Sequence, residues 1–174
     1  MTRIGTHLPT VYDLAGLARL FESEGGDDLY VRWSRGPDTD LADDDRDPTS
    51  LDGLTGISLP GLSANPLRTE SWWRDRPVRL WLARRLYDYG HLRDLRGPGV
   101  RPWVLRGREI ARGPDNEPLV VDAQPLAWVA DSVLREARRL VHGQGSREWG
   151  PMDRRARADS KTRIAPTAEL PGSA

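Results

Sequence analysis

Arg101-Pro-Trp-Val-Leu-Arg-Gly-Arg-Glu-Ile-Ala-Arg112, then Gly113-Pro-Asp-Asn116, then Glu117-Pro-Leu-Val-Val121, reads as two β-prone runs on either side of a tight turn. Trp, Val, Leu and Ile suit the pleated, half-buried environment of a strand. Gly-Pro-Asp-Asn supplies the backbone freedom and local hydrogen bonds of a turn. The pair predicts a hairpin, with Pro118 at a strand start or on an edge because it has no N–H for a ladder. Upstream, Leu29-Tyr-Val-Arg-Trp-Ser34 predicts another strand, stopped by Gly36-Pro37.

Helical periodicity surrounds these strands. Val11, Leu14, Ala15, Ala18 and Phe21 predict a helix over 10–24, capped by Thr10 and ended by Gly25-Gly26. Pro77 suits a first helical position, and Trp81, Leu82, Leu86 and Tyr89 extend a helix over 77–89 to Gly90. Asp122 or Gln124 before Pro125 marks a helix start, and Leu126, Val129, Ala130, Val133, Ala137 and Leu140 carry that helix to about Val141. The Leu54–Leu67 stretch is too apolar for a free loop, yet Gly56, Pro60, Gly61 and Pro66 forbid a long helix. It predicts an anchored irregular coil with a short strand at its start. The sum is one α+β domain over 8–142, with a small mixed or antiparallel sheet and about three main helices. Residues 38–52, with Asp38, Asp40, Asp43, Asp44, Asp45 and Asp47, predict a solvated acidic loop. Residues 143–174 show no apolar period and predict a disordered C-terminal tail.

Composition narrows the function classes. The 174 residues include 17 Gly and 14 Pro, too many breakers for a coiled coil, and 7 Trp, which supply core area where aliphatics are scarce. With no Cys there is no disulfide, thiolate nucleophile or cysteine-based metal site. The N-terminus lacks the apolar core of a secretory signal, and no run approaches the ~18 apolar residues of a membrane span, so a cytoplasmic protein without membrane association is expected. Charges are segregated: residues 1–60 hold five Arg against twelve acids, and residues 68–112 hold twelve Arg against five. Mutual neutralisation of the two regions accounts for this, and a basic face for an anionic ligand is the sharper alternative. The aspartates at 43–47 and Asp52 lack the Gly and Glu positions of a calcium loop, so no metal site and no cofactor are expected. His7, His91 and His142 are too scattered to argue a metal pair or a catalytic triad.

The segments Tyr30-Val-Arg-Trp-Ser-Arg-Gly-Pro37, Leu59-Pro-Gly-Leu-Ser-Ala-Asn-Pro-Leu67, Arg101-Pro-Trp-Val-Leu105 and Gly113-Pro-Asp-Asn-Glu-Pro-Leu-Val120 resemble a family of hypothetical proteins from high-GC bacteria. The resemblance implies a bacterial protein and supplies no reaction. In outline, Arg32, Ser58 or Ser63, and Glu117 are similar to the nucleotide-handling set of NAD-consuming ADP-ribosyltransferases. That likeness implies Arg on the pyrophosphate and Glu on the ribose hydroxyl. The departures are the missing Ser-Thr-Ser run and Pro118 directly after Glu117.

Two further readings compete. Arg76, Arg79 and their neighbours in 68–85, with Trp72 and Trp73, suit nucleic acid, because guanidinium groups neutralise phosphates and indoles stack on bases. The same aromatic and Arg anchors, with the proline-rich coil, suit a protein partner. The reading adopted is a non-catalytic binding or regulatory module with no assigned reaction. Its expected ligand groove is lined by Arg32, Arg35, Ser63, Asp115, Asn116 and Glu117, and its expected partner surface by Trp72, Trp73, Arg76 and Arg79.

Overall fold

All six residues of Leu29–Ser34 are buried, which a strand achieves only when both faces are covered. This strand (β2) lies inside the sheet of a computed structural model that describes residues 7–41, 50–144 and 149. The chain divides into two units, Met1–Val141 and His142–Ala174, and the first carries the sheet. The elements before the long hairpin are β1 (Thr10–Val11), α1 (Leu14–Ser23), β2, α2 (Pro37–Asp40), β3 (Leu62–Ser63), β4 (Asn65–Pro66), α3 (Val78–Tyr89) and α4 (His91–Arg96). The hairpin strands β5 (Arg101–Arg112) and β6 (Pro118–Val129) follow, and then α5 (Asp131–Gly143). The architecture is α+β, with a curled mixed sheet.

The sheet order is β1-β6-β5-β2-β4, and β3 also pairs with β6. Only Ala64 separates β3 from β4, so one short segment reaches β6 on one side and β2 on the other. The sheet therefore curls until its ends meet. Tyr30 pairs with Leu105 and Arg32 with Trp103, and directly opposed residues share a face. Tyr30, Ala64, Trp103, Leu105 and Val120 form a buried cluster on this inner face. The alternate residues Val31 and Trp33 project to the outer face, where helical side chains such as Trp81, Leu82 and Leu86 are also buried.

Several elements differ from the sequence reading. Thr10 and Val11 pair in parallel with Trp128 and Val129, and the α1 cap is Asp13, whose Oδ1 accepts from Gly16 N at 2.6 Å. Leu126–Val129 extends β6 rather than opening a helix. Trp128 opposes Trp103 and donates its backbone N–H to Pro9 O, so ladders on both sides override a spacing that also fits a helix. The strand accommodates this stretch through register shifts along β5–β6 and through Asp122 at φ 54°. At Gly107 a Cβ would collide with the Val120 side chain, so glycine permits this close approach of the two strands. Within 54–67, strand pairing falls at 62–66 rather than at the start, apart from a Leu51–Ser58 bridge. Leu62 and Leu67 are anchored, but Leu54 and Ile57 are exposed. Residues 37–40 form α2 instead of loop. The acidic run at 42–49 and most of the tail expected after 142 lie outside the described residues.

Two tyrosines give the fold a pH signature. Burial, reinforced by Glu109, raises the Tyr30 phenol above its ordinary value of 10.0, and burial raises that of Tyr89. The folded state then holds these protons more tightly than the unfolded chain, so stability falls once pH exceeds the unfolded value. Thermal melts from about pH 8.5 to 11 should show Tm dropping above about pH 10, with a shallower drop in Tyr30→Phe and Tyr89→Phe. Equal slopes in wild type and variants would contradict this assignment.

Candidate functional site

Arg32 sits at the centre of β2, 8% exposed, with its guanidinium directed into polar company. Its Nε donates to Asp40 Oδ2 at 2.7 Å and its Nη2 to Asp40 Oδ1 at 3.2 Å, a two-point ion pair. Its Nη1 donates to Ser63 O at 2.6 Å and to Ser50 Oγ at 3.1 Å. Ser50 Oγ also accepts from Ser63 N at 2.8 Å. Ser34, two residues along the same face, donates its hydroxyl to Asp40 Oδ2 and accepts from Trp103 Nε1 at 2.8 Å. Arg32 thereby ties β2 to α2, to the chain at Ser50 and to β3. Asp40, which the sequence places in a solvated acidic run, is instead the counter-ion of a buried cation.

The structure brings Arg32 and Ser63 together, through the Ser63 carbonyl rather than its hydroxyl. Glu117 lies two residues before Leu119, the partner of Ser63. Its carboxylate accepts from Asp115 N at 2.9 Å, and its carbonyl accepts from Gly113 N at 2.8 Å. Asn116 takes φ 60° in this turn, and its carbonyl accepts from Arg112. Arg35 is exposed, as are Asp115 and Asn116. The sequence-derived groove residues thus divide among a buried network (Arg32 and Ser63), the hairpin turn (Asp115, Asn116 and Glu117) and Arg35, exposed after β2.

The Trp-rich segment folds onto itself. Trp72, Trp73 and Trp81 pack edge to face, with ring centroids 5.3–5.7 Å apart. Trp73 and Trp81 are fully buried, Trp72 is partly buried, and Arg79 is exposed. The Arg76 guanidinium lies 4.1 Å from the Trp73 ring centre, and that of Arg85 lies 4.6 Å from Trp81. Trp81 Nε1 donates to Leu67 O at 2.7 Å, joining this cluster to the chain that closes the sheet.

A cleft that sequence reasoning did not single out opens on the outer face. It measures about 640 Å³ and lies between the end of α3, α4 and the first turns of α5. Trp33, Leu86 and Leu134 form its apolar part, and Arg93, Arg135 and Arg138 are among its charged walls. Arg93 is paired with Asp131 at 3.0 Å across the helices. Arg96 anchors α4 by donating to Trp33 O at 2.6 Å. Desolvation, with the Arg32 charge second, lowers the Arg96 pKa below its usual value, and the group remains a cation. Trp33 is 1% exposed, and its Nε1 is a buried donor with no partner among the described residues. The available sequence signal was Asp131, Leu134, Arg135 and Arg138, which share one face of α5 and place a leucine among charges.

In class, this is a small α+β domain built on a curled mixed sheet, with a cleft between the sheet and its helices. The chain belongs to DUF6098, a family of unknown function whose model matches residues 5–150. That membership agrees with the resemblance to a family without an assigned reaction. No curated protein and no solved structure matches the chain. Among the described residues, no helix is long and apolar enough to cross a membrane. Nor do these residues contain a group of three or more His, Cys, Asp or Glu able to hold a metal ion.

The Arg32–Asp40 geometry makes a stability prediction. Asp40→Ala leaves a buried guanidinium without its counter-ion and should cost about 3–5 kcal/mol in chemical denaturation. The double change Arg32→Met, Asp40→Leu removes both charges and should recover a large part of that loss. A loss below about 1 kcal/mol in Asp40→Ala, the range of an exposed pair, would contradict the tie.

Proposed function

We propose that this protein is a non-catalytic binding or regulatory module whose ligand seats in the cleft over Trp33. The observation that carries the reading is a buried indole N–H, without a partner among the described residues, on a tryptophan that lines an open cavity. A buried unsatisfied donor costs about 1–3 kcal/mol, and a ligand acceptor at the cleft floor offsets that cost. A cavity of about 640 Å³ with a few polar groups around apolar walls is in the range of small-molecule sites. The residues that resemble an NAD-handling set favour a structural role, because Arg32 makes four hydrogen bonds inside the fold and Glu117 holds its own turn. The burial of Trp73 and Trp81 likewise favours a core role for the Arg- and Trp-rich segment over base stacking.

The test is a two-dimensional amide and indole NMR titration of the full chain with a mixed panel of neutral, anionic and cationic fragments. Shifts should concentrate on the Trp33 indole N–H and on the Gly90 and Leu134 amides, and incubation with NAD should release no nicotinamide. Shifts that collect around Arg32 and Glu117, or nicotinamide release, would replace this reading with the nucleotide-handling one. Scattered or absent shifts would remove the cleft as a site.

A further inference from the structure

The cleft has unequal charge on its walls, and this goes further than the presence of a site. Its lining contains three guanidinium groups and two carboxylates, and these five groups leave one net positive charge. The His91 Nδ1–H donates to Asp88 O at 2.8 Å, which sets its ring orientation. Arg93 is spent on Asp131 at 3.0 Å. Asp94 from α4 is the remaining carboxylate in the lining. Arg135 and Arg138 line the same cleft and make no hydrogen bond or ion pair among the described residues. They stand on consecutive turns of α5 (three residues apart), the spacing at which two side chains reach one point from one helix face.

Resting on the reading of the cleft as a ligand site, we propose that its ligand is a small organic carboxylate with a compact apolar body. The carboxylate meets Arg135 and Arg138, whose planar donor forks match its two oxygens. Leu86 and Leu134 receive the apolar body, and the ligand brings an acceptor, directly or through a water, to Trp33 Nε1. Arg93 and Asp131 cancel, and Asp94 offsets one of the two remaining guanidinium charges, so the cleft favours a monoanion over a dianion such as a phosphate monoester.

The experiment titrates the full chain at low salt with benzoate, with its neutral isostere benzamide and with phenyl phosphate. Binding is followed by the Trp33 indole resonance and by calorimetry. Benzoate should bind roughly tenfold more tightly than benzamide, as expected for a charge-assisted contact in a partly desolvated site. Phenyl phosphate should bind more weakly than benzoate. Both Arg side chains are exposed, so the Arg135→Ala, Arg138→Ala double variant should keep the wild-type melting profile. In it, benzoate should fall about tenfold, to the benzamide level, a loss much larger than any that benzamide itself shows. Equal binding of benzoate and benzamide, no effect of the double variant, or tighter binding of phenyl phosphate would each overturn the carboxylate assignment while leaving a binding cleft. If no probe moves the Trp33 resonance, the cleft itself is not the site and both proposals fall.

Discussion

A guanidinium placed inside a sheet loses the water that solvated it and must recover hydrogen bonds from the chain, or the strand that carries it will not stay buried. Arg32 meets that constraint with Asp40, Ser50 and the Ser63 carbonyl. Each partner comes from a different piece of otherwise irregular chain. Asp40 fixes the short helix after β2, Ser50 fixes the return of the chain beyond the acidic run, and Ser63 fixes the segment that joins β6 to β2. The closure of the sheet and the burial of Arg32 are therefore one requirement. Apolar packing by Tyr30, Leu105 and Val120 fills the space beside it, but the polar network specifies where the ends of the curl meet. The desolvation of two buried charges offsets most of their attraction, so the role assigned to this pair is to define the arrangement rather than to add net stability.

The two faces of β2 divide the work of the molecule. On the inner face, Arg32 and Ser34 bond to Asp40, Ser50, the Ser63 carbonyl and Trp103, and the chemistry of these side chains serves to hold the fold. On the outer face, Trp33 anchors α4 through its carbonyl, its indole N–H has no partner among the described residues, and the helices stand apart enough to leave a cleft. Adjacent residues of one strand thus belong to a structural centre and to a candidate binding centre. The alternation of a strand makes that possible, because successive side chains are separated by the full thickness of the sheet.

Much of the core architecture was legible. β2, the β5–β6 hairpin with its turn, and α3 all carry strong local signals in which β-propensity, turn residues or helical spacing agree with the final packing. The two strand misreadings share one cause: the deciding partner was distant in sequence. Leu126–Val129 fits a helix by spacing but is taken into β6 by Trp103 and by the backbone at Pro9. Thr10 resembles a cap but is recruited by the same strand. Asp40 belongs to an acidic run that reads as solvated, and only the three-dimensional position of Arg32 marks it out. The candidate site was less legible than the fold. Arg32 and Glu117 attract notice by residue type, whereas the cleft is assembled from β2, α3, α4 and α5. No single stretch of sequence contains more than one of its walls, apart from the join of α3 and α4 at Gly90.

The most direct measure of this account is hydrogen exchange at the Arg32 side chain, read from its Nε–H resonance at neutral pH with exposed Arg35 as an internal reference. If Arg32 is the tie that closes the sheet, its Nε–H gives a resolved signal and exchanges on the timescale of the buried β2 amides, far more slowly than that of Arg35. An Arg32 Nε–H that exchanges as fast as that of Arg35 would show a guanidinium open to water, and the structural role assigned to it would be wrong.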